Sequence, residues 1–172
     1  MPTDKVANPA APRFNLGQGW EDVPGKLYFA YTNNQRWSFK CWVPDDGVPE
    51  NDRFFCHGHT FDTYRRFGYS PFSGKEVRLI IEDEYQAVPK AEAGHFDIQA
   101  GDVVTWSKAT NIIHSCLVIN VAGIPTVNTV TMWSKNGRQP ITVMKLYQVN
   151  RIYPSEVVEY WRVKPPEPAL QV

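Results

Sequence analysis

NDRFFCHGHTF, residues 51–61, is where the pattern of the chain changes from strand to helix. It follows a loop dense in turn formers, PDDGVPEND at 44–52. From there Phe54, Phe61, Tyr64 and Phe67 recur near the helical period, which predicts a helix beginning near Cys56. Gly58 falls in its first turn, where glycine is tolerated. Upstream, LYFAYT (27–32) and RWSFKCWV (36–43) flank Asn33-Asn34 and read as a β-hairpin. Downstream the chain reads as strand throughout. VRLIIED (77–83), VVTW (103–106), HSCLVINV (114–121), TVNTVTMW (126–133) and ITVMKLYQV (141–149) are separated by turns at 98–102, 123–125 and 135–137. SEVVEYWRV (155–163) fits a last strand or a short helix. A β-rich start, one helix and an antiparallel meander make an α+β fold.

Residues 1–13 read as a flexible arm and 164–172 as a flexible tail, leaving 14–163 as one domain. A chain of 172 residues, 42% hydrophobic and 21% charged, has material for one real core. Eighteen basic and 18 acidic residues cancel, which argues against a broad basic surface for nucleic acid. No apolar run is long enough to span a membrane, and the start has no apolar segment of a Sec signal. Synthesis in the cytoplasm is expected, with any export by another route. Three cysteines exclude full disulfide pairing and suit free thiols.

Cys56 is the first chemical candidate. A thiol at a helix N-terminus meets the positive end of the dipole and free N–H groups, which favour thiolate and could hold an oxyanion. His114 opens an apolar strand and is the candidate base, reached only through tertiary contact. A third residue should orient its imidazole. Asn136 is preferred because an amide oxygen does this well, with Ser134 beside it and Asn128 behind both. Cys116 and Cys41 read as structural, one in mid-strand and one in the β hairpin. The C-H-G-H run at 56–59, with His95 and His114, could be read as zinc ligands. The one-residue spacing and the lack of a C-x-x-C pair argue against it, so no metal and no cofactor are expected. His57, His59 and Trp133 are the candidate substrate-binding residues, and a protonated neighbouring histidine would stabilise the thiolate. Trp20, Trp37 and Trp42 could wall the cleft, though core packing explains them as well.

Four blocks in order, residues 51–61, 100–106, 113–119 and 129–137, resemble the NlpC/P60 and CHAP superfamily of papain-like cysteine peptidases. They hold a Cys opening a helix with Gly two residues on, a Gly-Asp turn before a strand, a His strand, and the strand after it. The sequence departs from that pattern at His57, where a small or aromatic residue is usual, and at Ser134, where Glu often stands. The resemblance implies a papain-like domain with the Cys helix packed on the His-bearing antiparallel sheet. It implies Cys56 as nucleophile, His114 as base, and Asn136 or Ser134 as the orienting residue. It also implies hydrolysis of amides, most often in peptidoglycan stem peptides, through an acyl-enzyme. A single small domain without a Sec signal resembles a monomeric antibacterial effector. Such an effector acts in the periplasm or wall of a target cell, with a secretion carrier and a cognate immunity protein as partners. The same machinery would serve a protein-directed protease, deamidase or acyltransferase toxin. A non-catalytic β-rich binding module is the alternative of another class.

Overall fold

The computed structural model describes residues 6–8, 24–32, 36–62 and 73–165. In chain order the elements are β1 (Val6–Asn8), β2 (Gly25–Tyr31), β3 (Ser38–Pro44), α1 (Glu50–Arg53), α2 (Cys56–Asp62), α3 (Gly74–Glu84) and β4 (Tyr85–Ala87). Then come β5 (Val103–Lys108), β6 (Asn111–Val121), β7 (Val130–Lys135), β8 (Ile141–Lys145), α4 (Leu146–Ile152) and β9 (Val157–Val163). The expected α+β class holds. β1-β2-β3 form a small antiparallel sheet, and six antiparallel strands in the order β4-β9-β5-β6-β7-β8 form the main one. β5 to β8 are the expected meander, and β9 returns to pair with β5 on its other side.

Three expectations change. Val6–Asn8, assigned to the flexible arm, pairs with β2 as an edge strand. ITVMKLYQV is a strand only to Lys145, where Gln148 accepts from the Lys145 amide at 2.7 Å and starts α4. VRLIIED, expected as a strand, lies inside helix α3. Its β-branched run suggested a strand, but the start signal lies just upstream. Ser73 caps the helix by accepting from the Lys75 amide, while Glu76 accepts from the Ser73 amide at 3.0 Å. Val77, Ile80, Ile81 and Glu84 are then its buried face, at helical and not alternating spacing. Of the other sequence expectations, Tyr64, Phe67, Trp20 and the Asn33-Asn34 turn lie outside the described residues, as do the side chains of Cys41 and Trp42.

The middle of the main sheet is covered on both faces. α2 and α3 pack on one side, where Phe61, Val77, Ile80, Val103, Ile112 and Leu117 join. On the other, Val104, Trp106, Cys116, Val118, Met132 and Leu146 form a second core. Central strands buried on both faces read as near-continuous apolar runs, as β5 does. The Gly-Asp turn before β5 has a structural use. Gly101 sits at φ +93°, a conformation glycine adopts freely, and Asp102 is buried. Arg162 on β9 donates to both Asp102 carboxylate oxygens, at 2.8 and 2.9 Å.

Two features aim the site. α2, which begins at Cys56, lies against β6, which carries His114. Between the pairs Trp106–His114 and Ser107–Ile112 the register slips, so Ile113 is an extra residue on β6. A bulge of this kind bends a strand and re-aims its neighbouring side chain.

Candidate active site

Cys56 and His114 line one cleft of about 470 Å³. Phe55, Ile113 and Tyr153 form its walls, and Gly137 and Arg138 complete the lining. The two candidates that sequence reading set apart are therefore brought together. Cys56 keeps part of its surface open, while the amides of Ser115, His57 and Cys56 itself are directed at its sulfur.

His57 fixes this arrangement. Its Nε2 lies 3.2 Å from the Ile112 carbonyl, which can only accept, so Nε2 carries the proton. Its Nδ1 then accepts from the Ser115 hydroxyl at 2.8 Å. The ring is thus a rivet between α2 and β6 and does not line the cleft. Burial holds its pKa down to about 4, so it is neutral near pH 7. This corrects the expectation of a protonated neighbour.

The thiol corrects a second one. Burial pushes Cys56 up to about 11, outweighing the three amides and the Lys135 ammonium that pull the other way. α2 has only seven residues, and its dipole does not overcome the loss of water around the sulfur. At rest the pair is a thiol and a neutral imidazole, since burial and the nearby His57 hold His114 well below the usual histidine range.

The imidazole is oriented by a chain of three groups. His114 Nε2 is 3.2 Å from Ser134 Oγ, Ser134 Oγ is 3.0 Å from Asn136 Oδ1, and the Tyr153 hydroxyl is 3.1 Å from the same Oδ1. Asn136 Oδ1 can only accept, so both hydroxyls donate to it. Ser134 has no second hydrogen, so it accepts from His114 Nε2–H. That fixes the tautomer and leaves the lone pair on Nδ1, which is buried without a hydrogen-bond partner among the described residues. Tyr153 also stacks on the ring, centroids 3.7 Å apart and planes 10° off parallel. Asn136 and Ser134, offered as alternatives, act in series. Asn128 lies in the loop before β7, its amide bonded to Thr126. Cys116 is core as expected, and it also places its sulfur 3.3 Å from His114 Nε2.

The other two substrate-binding candidates stand outside the cleft lining. His59 is buried, stacked with Phe54 at 6.1 Å and edge-on to Trp133 at 6.2 Å. Trp133 alternates with Ser134 along β7, so one faces out when the other faces the imidazole. Trp37 likewise lies outside the cleft, beside Arg36. Among the described residues no three His, Cys, Asp or Glu side chains converge as a metal set.

Sequence reading missed Tyr153, Lys135 and Arg138. A signal for Tyr153 existed: Leu146, Val149, Asn150 and Tyr153 share a helical face, and Asn150 accepts from Trp106 Nε1 at 2.8 Å. Lys135 gave none, because a lysine at the end of a strand reads as exposed. Compared with family models, curated proteins and solved structures, the chain matches none.

The relay makes a graded prediction. Ser134→Ala removes the one oxygen on Nε2 among the described residues and frees the tautomer, so turnover should fall by roughly 10²-fold, the scale of general-base catalysis. Asn136→Ala acts one bond further away and should cost about tenfold. Nitrogen NMR of His114 gives a second readout: Ser134→Ala should mix the two tautomers, while His57 stays unchanged. Equal losses with an unaltered His114 spectrum would reject the relay.

Proposed function

We propose that the chain is a cysteine hydrolase of the papain-like class that cleaves amide bonds in peptidoglycan stem peptides. The observation that carries this reading is the shared cleft: a thiol, and an imidazole held with its free nitrogen available as base. The four sequence blocks that resemble the NlpC/P60 and CHAP superfamily support the substrate class.

The chemistry follows from the protonation states at rest. As Cys56 Sγ attacks the amide carbonyl carbon, its proton passes to His114 Nδ1. Backbone amides around Cys56 stabilise the oxyanion. The C–N bond breaks, the imidazolium returns its proton to the leaving amine, and a thioester remains. Water then attacks the thioester, His114 again takes the proton, and the thiolate leaves to be reprotonated. The products are one amine and one carboxylic acid. Ser134 and Asn136 keep the imidazole in place and stabilise its charged form. Arg138, about half-exposed, gives the cleft a cationic group that suits an acidic peptide. The same reading takes the protein to the wall of a target cell as a monomeric effector, with an immunity protein to restrain it.

Purified peptidoglycan incubated with the protein tests this by mass spectrometry of the soluble products. New muropeptides with a cut stem peptide are expected. Intact peptidoglycan at every enzyme concentration would reject the substrate assignment.

A further inference from the structure

Lys135 ends β7 with its side chain fully buried, although lysine almost never lies inside without an ion pair. Its Nζ donates to two neutral carbonyls, Asn51 at 3.0 Å and Gly137 at 2.6 Å. The ammonium also stands over the faces of Phe54 and Phe55, 5.3 and 5.8 Å from their centroids. Phe55 immediately precedes Cys56, and Gly137 lines the Cys56 cleft. Among the described residues, the groups in contact with the cation hold it against the nucleophile segment and solvate it without neutralising it.

We propose that Lys135 is an electrostatic and positioning partner of Cys56, stabilising the negative sulfur that forms during attack and tying its segment to the strand end that carries Ser134. This deepens the assignment of Cys56 as nucleophile and rests on it. At rest, the other charged and titratable groups described around the sulfur do not supply such a field. His57 and His59 are neutral near pH 7, both held down to about 4. His114, Cys116 and Tyr153 are neutral as well, the last two held up by burial. Burial lowers the pKa of Lys135, while Asp52 and Glu50 of α1 and the Cys56 sulfur act on it through space and favour its charged form. Arg53 is occupied by the carbonyls of Pro44 and Asp45. Arg138 pairs with Asp52 at 3.5 Å, and about half of its side chain is open to water, which screens it. A buried charge in a poorly polarisable setting acts more strongly than an exposed one.

The test reads the thiol itself and needs no substrate. Alkylation of Cys56 by iodoacetamide is followed by peptide mass spectrometry between pH 7 and 10, in the intact wild type and in Lys135→Met, Lys135→Gln and Lys135→Arg. One unit of thiol pKa changes the thiolate fraction tenfold. The Met and Gln variants should react about tenfold more slowly at a given pH, with the rise displaced to higher pH, and Arg should stay near wild type. Cys116 is the internal gauge of folding, since it alkylates only if the core opens. If Met opens the core, Gln, which still donates to a carbonyl, decides. A folded neutral variant with the wild-type pH dependence overturns the proposal. Hydrolysis that survives Cys56→Ala, alongside a displaced alkylation profile, would instead reject the nucleophile assignment and leave the Lys135–Cys56 coupling standing.

Discussion

Cys56→Ala is expected to bring amide hydrolysis to the uncatalysed background, a loss on the order of 10⁴-fold or more, because among the described residues no other thiol lines the cleft. The neighbouring thiol cannot substitute. Cys116 is fully buried, and burial raises its pKa still further than that of Cys56. The exchange removes one atom from a residue that keeps part of its surface open, so circular dichroism and the melting temperature should change little. Rapid acid quench gives the direct readout: the wild type should carry an acyl group on Cys56 during turnover, and the alanine variant none. Hydrolysis by the variant at the wild-type rate would remove Cys56 from the mechanism.

His114→Gln should cost on the order of 10³-fold, since it removes the base but leaves the thiol and the backbone amides. The wild-type pH profile carries the more specific expectation. The active form needs a neutral His114, whose pKa is held below 6.5 by burial and by His57. Activity should therefore be full at neutral pH and fall only as the pH drops through that lowered pKa. The thiol itself should add no alkaline limb before its own range, about 11, so a limb below that belongs to Lys135, whose pKa burial lowers. A thiolate–imidazolium pair at rest would behave differently, losing activity on the alkaline side as the imidazolium deprotonates. A kcat/KM falling above pH 8 in Lys135→Arg, whose guanidinium stays charged, would reject the neutral pair.

The parts of this fold that were legible are those written in local pattern. The meander from β5 to β8 shows as β-rich runs between turn residues, and Cys56 stands where a loop gives way to helix. α3 was misread because Val77, Ile80 and Ile81 are β-branched, while the decisive signal was Ser73 and Glu76 upstream. The site was legible as candidate residue types but not as an ordered relay. Ser134 and Asn136 could be ranked only once their oxygens were seen in series, because the ranking depends on which oxygen can donate. The sign of the Cys56 shift was likewise illegible. A dipole can be read from a helix start, whereas the burial that outweighs it depends on how distant sequence packs against α2.

That shared strand has a consequence for timing. β6 supplies His114, the Ser115 amide at the sulfur and the Ile112 carbonyl on His57, and Lys135 reaches back 84 residues to Asn51. Tyr153 enters only after β8 and α4. A ribosome-bound chain therefore holds a thiol long before it holds the assembled cleft, and Tyr153 stacks on the His114 ring only after residue 153 has emerged and docked. No proteolytic fragment that separates α2 from β6 retains the cleft. A chain unfolded for passage through a narrow channel has no assembled cleft on the way and regains it only where it refolds.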